Sequence, residues 1–216
     1  MDIEPGILAR GPWRPEQVTC RWLREEFRAE PARLDAADAE IAALTDRGSP
    51  SHDGLAARLA AWREDGRGLA LELQPARWAL RLNHEDAATS LTVLCVVRSH
   101  DGRWLAGRRA AWVATWAGKW ALGAGGSVEV GEHPVDTLTR ELQEEWSVVP
   151  DRLQVEALVV LPNRMAMLVG QAWLPEGAEV VPDHEHDAHA WWPADPDGWP
   201  ADADPRLHGM ASMLGT

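Results

Sequence analysis

Apolar positions in the C-terminal part of the chain occur in short runs separated by turn signals, which is the pattern of β-strands. Residues 90–97 are rich in leucine, threonine and valine, and the hairpin signal His100-Asp101-Gly102 follows them. Six strands are predicted in this part, at residues 90–97, 104–107, 120–122, 153–161, 165–174 and 188–192.

Two segments of the same part show helical spacing instead. Residues 134–146 place Val135, Leu138 and Leu142 on one face, which predicts an amphipathic helix. Residues 205–214 predict a closing helix. Strands mixed with a few helices indicate a layered α/β domain.

The first 86 residues follow a different pattern, which predicts a mostly helical α+β region with a possible hairpin. The hairpin would join residues 69–73 and 78–82. A polar run at residues 82–87 marks the boundary, so the expected domains are 1–86 and 87–216. The other elements predicted here are a strand at 3–8 and helices at 15–29, at 35–46 and from a cap at Ser51 or Asp53 to Trp62.

Composition restricts the partners of the chain. The net charge of −13, with Lys119 as the only lysine, argues against binding long nucleic acid. No apolar run is long enough to span a membrane, and no signal peptide is expected at the N-terminus. Cys20 and Cys95 cannot form a disulfide framework, so a reducing cytoplasm is the simplest setting.

Three carboxylates stand close together on the predicted helix 134–146. Glu141, Glu144 and Glu145 occupy positions i, i+3 and i+4, within an arc of about 100° beside the apolar face. Like charges this close repel, and a divalent cation can neutralise them. Carboxylate oxygens suit a hard ion such as Mg²⁺, which shares its remaining positions with water and substrate phosphate. By itself this pattern fits either a catalytic metal site or a solvated acidic helix face, and the solvated face is the simpler interpretation of three acids alone.

Residues 126–148 as a whole resemble the Nudix box, in which glycine, glutamate and an Arg-Glu pair stand at fixed distances. One position departs from the pattern, because Ser147 stands where the family has glycine. That glycine ends the helix, so a serine there implies local strain or a shifted cap. The residues that match are Gly126, Glu132, Arg140, Glu141, Leu142, Glu144, Glu145 and Val148.

The resemblance implies a fold, a cofactor and a site. The expected fold is a Nudix-type α/β/α sandwich with a mixed sheet, and the expected cofactor is Mg²⁺ or Mn²⁺. Arg140 would orient a carboxylate through a bidentate pair. Glu185, in an acidic run before the last strand, would be a further ligand or the general base. The implied metal ligands are Glu141, Glu144 and Glu145, with the Gly125 backbone close to the metal, and the implied catalytic residues are Glu144, Glu145, Glu185 and Arg140.

The sequence is less informative about the substrate. Arg108, Arg109 and Lys119 could contact phosphate or be surface charges, and Trp120 could stack on a base or pack in the core. The N-terminal region shows no catalytic motif and could form a homodimer, cover the active site or select the substrate.

Three functions remain open. The resemblance favours a pyrophosphohydrolase that cleaves the diphosphate linkage of a small nucleoside-diphosphate derivative. A non-catalytic Nudix-like ligand sensor is the alternative, although such modules often lose the acids that are present here. An isopentenyl-diphosphate isomerase on the same fold is disfavoured, because no cysteine follows Cys95.

Overall fold

Two β-sheets and three α-helices appear in a computed structural model, which describes residues 3–46, 48, 53–113 and 115–215. The helices of these residues are α1 (Pro31–Asp46), α2 (Pro134–Trp146) and α3 (Pro205–Leu214). Their strands are β1 (Gly6–Trp13), β2 (Val18–Trp22), β3 (Leu55–Asp65), β4 (Gly68–Arg77), β5 (Leu91–Arg98), β6 (Trp104–Arg109), β7 (Trp120–Leu122), β8 (Arg152–Val160), β9 (Ala166–Trp173) and β10 (His186–Trp192).

The larger sheet has the order β1-β8-β9-β5-β6-β10, and β7 pairs with β6. Strands β5 and β9 run parallel, whereas their neighbours in the sheet pair antiparallel. Such a central parallel pair needs cover on both faces, and β5 accordingly buries nearly every side chain. The mixed sheet predicted for this part of the chain is confirmed.

Helices cover the larger sheet on both faces. Leu138 and Leu142 of α2 pack in one cluster with the β5 residues Val93 and Val97. Leu207 and Ala211 of α3 pack in a second cluster with Val96 and Trp104. Alternate β5 residues therefore face opposite helices, as the period of two in a strand requires. This layering confirms the expected α/β/α sandwich, and α2 and α3 have the bounds that the spacing predicts.

The N-terminal region is not mostly helical. Residues 15–29 begin with a short 3₁₀ turn and continue as β2, and residues 55–65 form β3, so helices predicted there are wrong. Strand β4 continues through Gln74 and Pro75 and pairs with β3, and a 3₁₀ helix (Trp78–Leu82) replaces the second arm of the predicted hairpin. The proposed cap Ser51 lies outside the described residues.

The reason for these errors is pairing across the small sheet, whose order is β2-β4-β3. Leu69, Leu71 and Leu73 of β4 are buried at alternate positions and join the cluster beneath α2. A short apolar segment can fit both helical and strand spacing, and long-range pairing decides between them. Helix α1 confirms the helix predicted at 35–46, with an earlier start at Pro31.

Hydrogen bonding connects the two parts of the chain. Strand β1 is an edge strand of the larger sheet, where Gly6 to Trp13 pair with β8. Strand β3 forms isolated bridges from Ala56 to Glu129 and from Arg58 to Ser90. The predicted division after residue 86 therefore cuts through one hydrogen-bonded sheet. None of the helices in the described ranges is long and apolar enough to cross a bilayer.

Candidate active site

Helix α2 carries the acidic residues and is capped at both ends. His133 precedes it, and its Nδ1 accepts a hydrogen bond from the Val135 N–H over 3.2 Å. Ser147 follows it in the left-handed region (φ 54°, ψ 35°), and its N–H donates to Gln143 O over 3.1 Å. A residue with a Cβ costs about 1–2 kcal/mol in this conformation. Ser147 thus occupies a helix end suited to glycine.

Glu145 is buried beneath the glycine-rich loop that precedes α2. Its Oε1 accepts a hydrogen bond of 2.9 Å from the Gly125 N–H. Its Oε2 lies 3.6 Å from Arg109 Nη1. Burial raises the pKa of Glu145 to about 8, against the opposing effects of the Gly125 hydrogen bond and the Arg109 charge. This carboxylate is short of compensating positive charge.

Glu141 lies one turn earlier, against the same loop. A Cβ added to Gly126 would overlap the Glu141 carboxylate, so glycine at this position allows the carboxylate to lie against the loop backbone. Burial also raises the pKa of Glu141, although Arg140 Nη1 lies 2.8 Å from Oε1. Glu144 differs from both, because 57% of its side chain is exposed. Two of the three carboxylates, those of Glu141 and Glu145, are therefore buried, and that of Glu144 lies at the surface.

Arg140 holds the loop and the helix together. Its Nε and Nη2 donate to the two carboxylate oxygens of Glu132 over 2.9 and 3.3 Å, which is the bidentate pair that the resemblance implies. It also donates to Ser127 O over 3.2 Å and to Glu144 Oε2 over 3.0 Å. Burial raises the pKa of Glu132, but hydrogen bonds from Arg140 and the Glu129 N–H outweigh it and lower the pKa.

Arg109 connects α2 to the acidic run before β10. Its Nη2 lies 2.8 Å from Glu185 Oε2, while its Nη1 faces Glu145. The Ala110 N–H donates to Glu185 O over 2.7 Å and fixes the backbone of that run. The fold therefore brings Arg109 and Glu185, from two distant segments, to the α2 residues Glu141 and Glu145.

Three of the predicted substrate-binding residues lie elsewhere. Arg108 adjoins Arg109 in β6, points to the opposite face and pairs with Asp187 over 2.6 Å. Trp120 packs on Trp192 in the cluster beneath α3, with ring centres 5.7 Å apart. Lys119 Nζ lies 6.0 Å from the Trp116 ring, whose side chain packs against the same cluster. The structure does not bring these side chains to the α2 carboxylates.

The family follows from a comparison of the whole chain with known domains. The NUDIX domain model matches residues 88–204, more than half of the chain. The chain belongs to the NUDIX domain family. The Nudix resemblance is thereby confirmed, and so is the predicted enzyme class, a pyrophosphohydrolase that acts on acid anhydrides. No curated protein matches the chain.

Several solved structures are similar to part of this chain. The MutT protein from Methanosarcina mazei Go1 is 24% identical, with 58% of this chain and 91% of that chain covered and a TM-score of 0.47. The NUDIX domain of Shewanella oneidensis NrtR, complexed with ADP ribose, is 23% identical. The match covers 57% of this chain and 84% of that chain, with a TM-score of 0.46. A C. elegans Ap4A hydrolase is 15% identical, and the match covers 58% of this chain and 92% of that chain with a TM-score of 0.41.

The donor set of the Nudix site fits a hard divalent cation. Within the described residues, no group of three or more histidine, cysteine, aspartate or glutamate side chains is already arranged to hold a metal ion. Glu141 and Glu145 nevertheless present buried carboxylate oxygens whose pKa is raised, and Glu144 stands beside them at the surface. Mg²⁺ and Mn²⁺ accept oxygen ligands, and either ion would supply the positive charge that these buried carboxylates lack.

Sequence reasoning missed His186 at the start of β10. Its ring is buried against Trp146, with centres 4.4 Å apart, and its Nε2 lies 3.7 Å from Glu145 Oε2. Its Nδ1 lies 3.2 Å from Asp183 Oδ1. Burial lowers its pKa, which favours the neutral ring. The acidic run 183–187 signalled this region, but the packing on Trp146 depends on the fold.

Sequence reasoning also missed Trp78 and Arg81 of the N-terminal region. They reach the glycine-rich loop that precedes α2 and contains Gly125 to Ser127, here called the Nudix loop. Both donate hydrogen bonds to Ser127 Oγ. No motif marks them in the sequence, since their position depends on how the small sheet packs on the larger one.

Proposed function

We propose that this Nudix protein is a Mg²⁺- or Mn²⁺-dependent hydrolase that cleaves the diphosphate linkage of a small nucleoside-diphosphate derivative. The observation that supports this most directly is the pair of buried carboxylates, Glu141 and Glu145, pressed against Gly125 and Gly126. Burial raises the pKa of both carboxyl groups, and a divalent cation would supply the positive charge that stabilises them in the ionised form.

Glu141, Glu144 and Glu145 would hold the cation, with the Gly125 backbone at its edge. When bound, the cation neutralises charge on the phosphates and lowers the pKa of a bound water. Gly126 lets the loop backbone approach the carboxylates closely, because a side chain would overlap Glu141. Arg140 keeps the loop in place through Glu132 and Ser127 O.

Glu185 is the proposed general base. Arg109 engages its Oε2 over 2.8 Å, which leaves Oε1 to accept the proton of the attacking water. Attack of the water oxygen on phosphorus forms one P–O bond and breaks the P–O bond to the leaving phosphate. Arg109 also contacts Glu145, so it holds the proposed base close to the α2 carboxylates that would bind the metal, here called the metal-binding edge.

The test is a panel of nucleotide sugars, dinucleotides and nucleoside triphosphates, assayed with Mg²⁺ for release of phosphate or nucleoside monophosphate. We expect turnover of at least one class, its loss in EDTA, and recovery on addition of Mg²⁺. Glu145→Gln should lower turnover by orders of magnitude, whereas Glu64→Gln on the exposed end of β3 provides a charge-matched control. A panel without turnover, in which one compound still raises the Tm, would favour the sensor instead.

A further inference from the structure

The 3₁₀ helix Trp78–Leu82 presents two polar side chains to the Nudix loop. Residues three apart in a 3₁₀ helix lie on the same side, so Trp78 and Arg81 project together. Ala79 and Leu80 are fully buried between them, in a cluster with Ala37 of α1. The helix is therefore anchored by its apolar face, and its polar side is held toward the active site.

Both side chains converge on Ser127. Trp78 Nε1 donates to Ser127 Oγ over 3.1 Å, and Arg81 Nη1 donates to the same oxygen. Ser127 directly follows Gly126, which touches the Glu141 carboxylate, and its carbonyl accepts from Arg140. Arg81 therefore lies next to the proposed metal-binding edge rather than in a separate N-terminal unit.

The charges around Arg81 are those of the active site. Burial lowers the pKa of Arg81, and among nearby charges Glu141 and Glu185 favour the cation whereas Arg109 opposes it. Yet no ion pair of Arg81 is found among the residues that the structure describes. The hydrogen bond to Ser127 uses one of the five N–H donors of a guanidinium.

We propose that Arg81 binds a phosphate group of the substrate, so that the N-terminal region supplies part of the active site. A guanidinium with spare donors matches the oxygens of a phosphate group. An anion held there would also relieve the repulsion between Arg81 and Arg109. The inference rests on the proposed function, since it assigns a further contact to the same diphosphate substrate.

A purely structural role for Arg81 would be to tether Ser127, and Ser127→Ala separates the two roles. That variant removes the shared hydroxyl but keeps the Arg81 cation. If Arg81 only tethers the loop, Ser127→Ala, which removes the acceptor of both Trp78 and Arg81, should weaken binding at least as much as Arg81→Gln does. If Arg81 binds phosphate, Arg81→Gln should have the larger effect.

The experiment is calorimetric titration of the full chain with methylenediphosphonate, a diphosphate that is not hydrolysed, in the presence of Mg²⁺. We expect Arg81→Gln to weaken binding by about 10- to 100-fold, the usual effect of losing a hydrogen bond to a charged group. Arg81→Lys should weaken binding less, because lysine keeps the positive charge although it lacks the planar guanidinium with its paired N–H donors. Arg63→Gln, an exposed arginine on β3, is the matched control and should bind like the wild type.

Three results would overturn the inference: wild-type protein that does not bind the diphosphonate, unchanged binding by the folded Arg81 variants, or weakening by Ser127→Ala that equals or exceeds that by Arg81→Gln. If Arg81→Gln does not fold, Arg81→Lys decides the question. The proposed function fails separately: a protein that hydrolyses no member of the panel, yet loses diphosphonate binding in Arg81→Gln, would refute the hydrolase but support the phosphate contact.

Discussion

The Gly125 N–H donates a hydrogen bond of 2.9 Å to Glu145 Oε1, across 20 residues of chain. This bond joins the loop before α2 to the last turn of the helix and directs one carboxylate oxygen inward. The other oxygen faces Arg109 and His186. The local charge balance of Glu145 therefore depends on groups from three separate segments.

Without a metal, the stability of the protein should fall as the pH rises. The pKa of Glu145 is about 8 in the folded protein, against an ordinary value of 4.5. Between these values the folded state retains a proton that the unfolded chain has released, so rising pH favours unfolding. We expect urea denaturation in EDTA to give a lower free energy of unfolding at pH 9 than at pH 5. Glu145→Gln should flatten this dependence, and an unchanged slope in that variant would refute the assignment.

Replacing Ser147 by glycine should stabilise the fold. Ser147 adopts φ 54°, where a Cβ is unfavourable and glycine is not. We expect Ser147→Gly to raise the free energy of unfolding by about 1 kcal/mol, measured by chemical denaturation. Ser212→Gly within α3 is the control and should instead destabilise the protein by about 0.5 kcal/mol. If both changes destabilise, the strain at Ser147 is not relieved by glycine.

Gly126 should not tolerate alanine. The added Cβ would overlap the Glu141 carboxylate, so this carboxylate must leave its position or the loop must move. We expect Gly126→Ala to reduce turnover by at least about 10-fold and to weaken Mg²⁺ binding, since a small misplacement of catalytic groups is costly. Gly66→Ala has open space around its Cβ and serves as the control. Wild-type turnover in Gly126→Ala would show that the close approach is not required.

Arg109 and Arg108 should behave differently although they are neighbours. Arg109 pairs with Glu185 and faces Glu145, whereas Arg108 pairs with Asp187 on the other face of β6. We expect Arg109→Gln to lower kcat by roughly 10- to 100-fold, because it releases the proposed general base. Arg108→Gln should have a clearly smaller effect on kcat. Equal losses in the two variants would contradict the placement of the base.

The catalytic helix could be predicted from sequence because its evidence is local. Glu141, Glu144 and Glu145 share a face at helical spacing, and the bounds of α2 follow from the same periodicity. The position of Glu185 near this helix was implied by family resemblance, and the structure places it on Arg109. The side of β6 that each arginine occupies required the register of the strand, which sequence alone did not provide.

The N-terminal region shows the opposite case. Residues 55–65 carry apolar positions that fit both helix and strand, and only pairing with β4 decides for the strand. Arg81 lies in no motif, so nothing in the sequence connects it to Ser127, 46 residues later.

The sequence by itself determined the family, the reaction class and the acidic edge of α2, because these depend on fixed spacing within one short segment. The tertiary structure alone decided that β1 joins the larger sheet, that His186 packs on Trp146, and that Arg81 reaches the Nudix loop. These contacts join residues distant in the chain. Their free energy comes from burial and pairing that exist only after folding, so no local pattern encodes them.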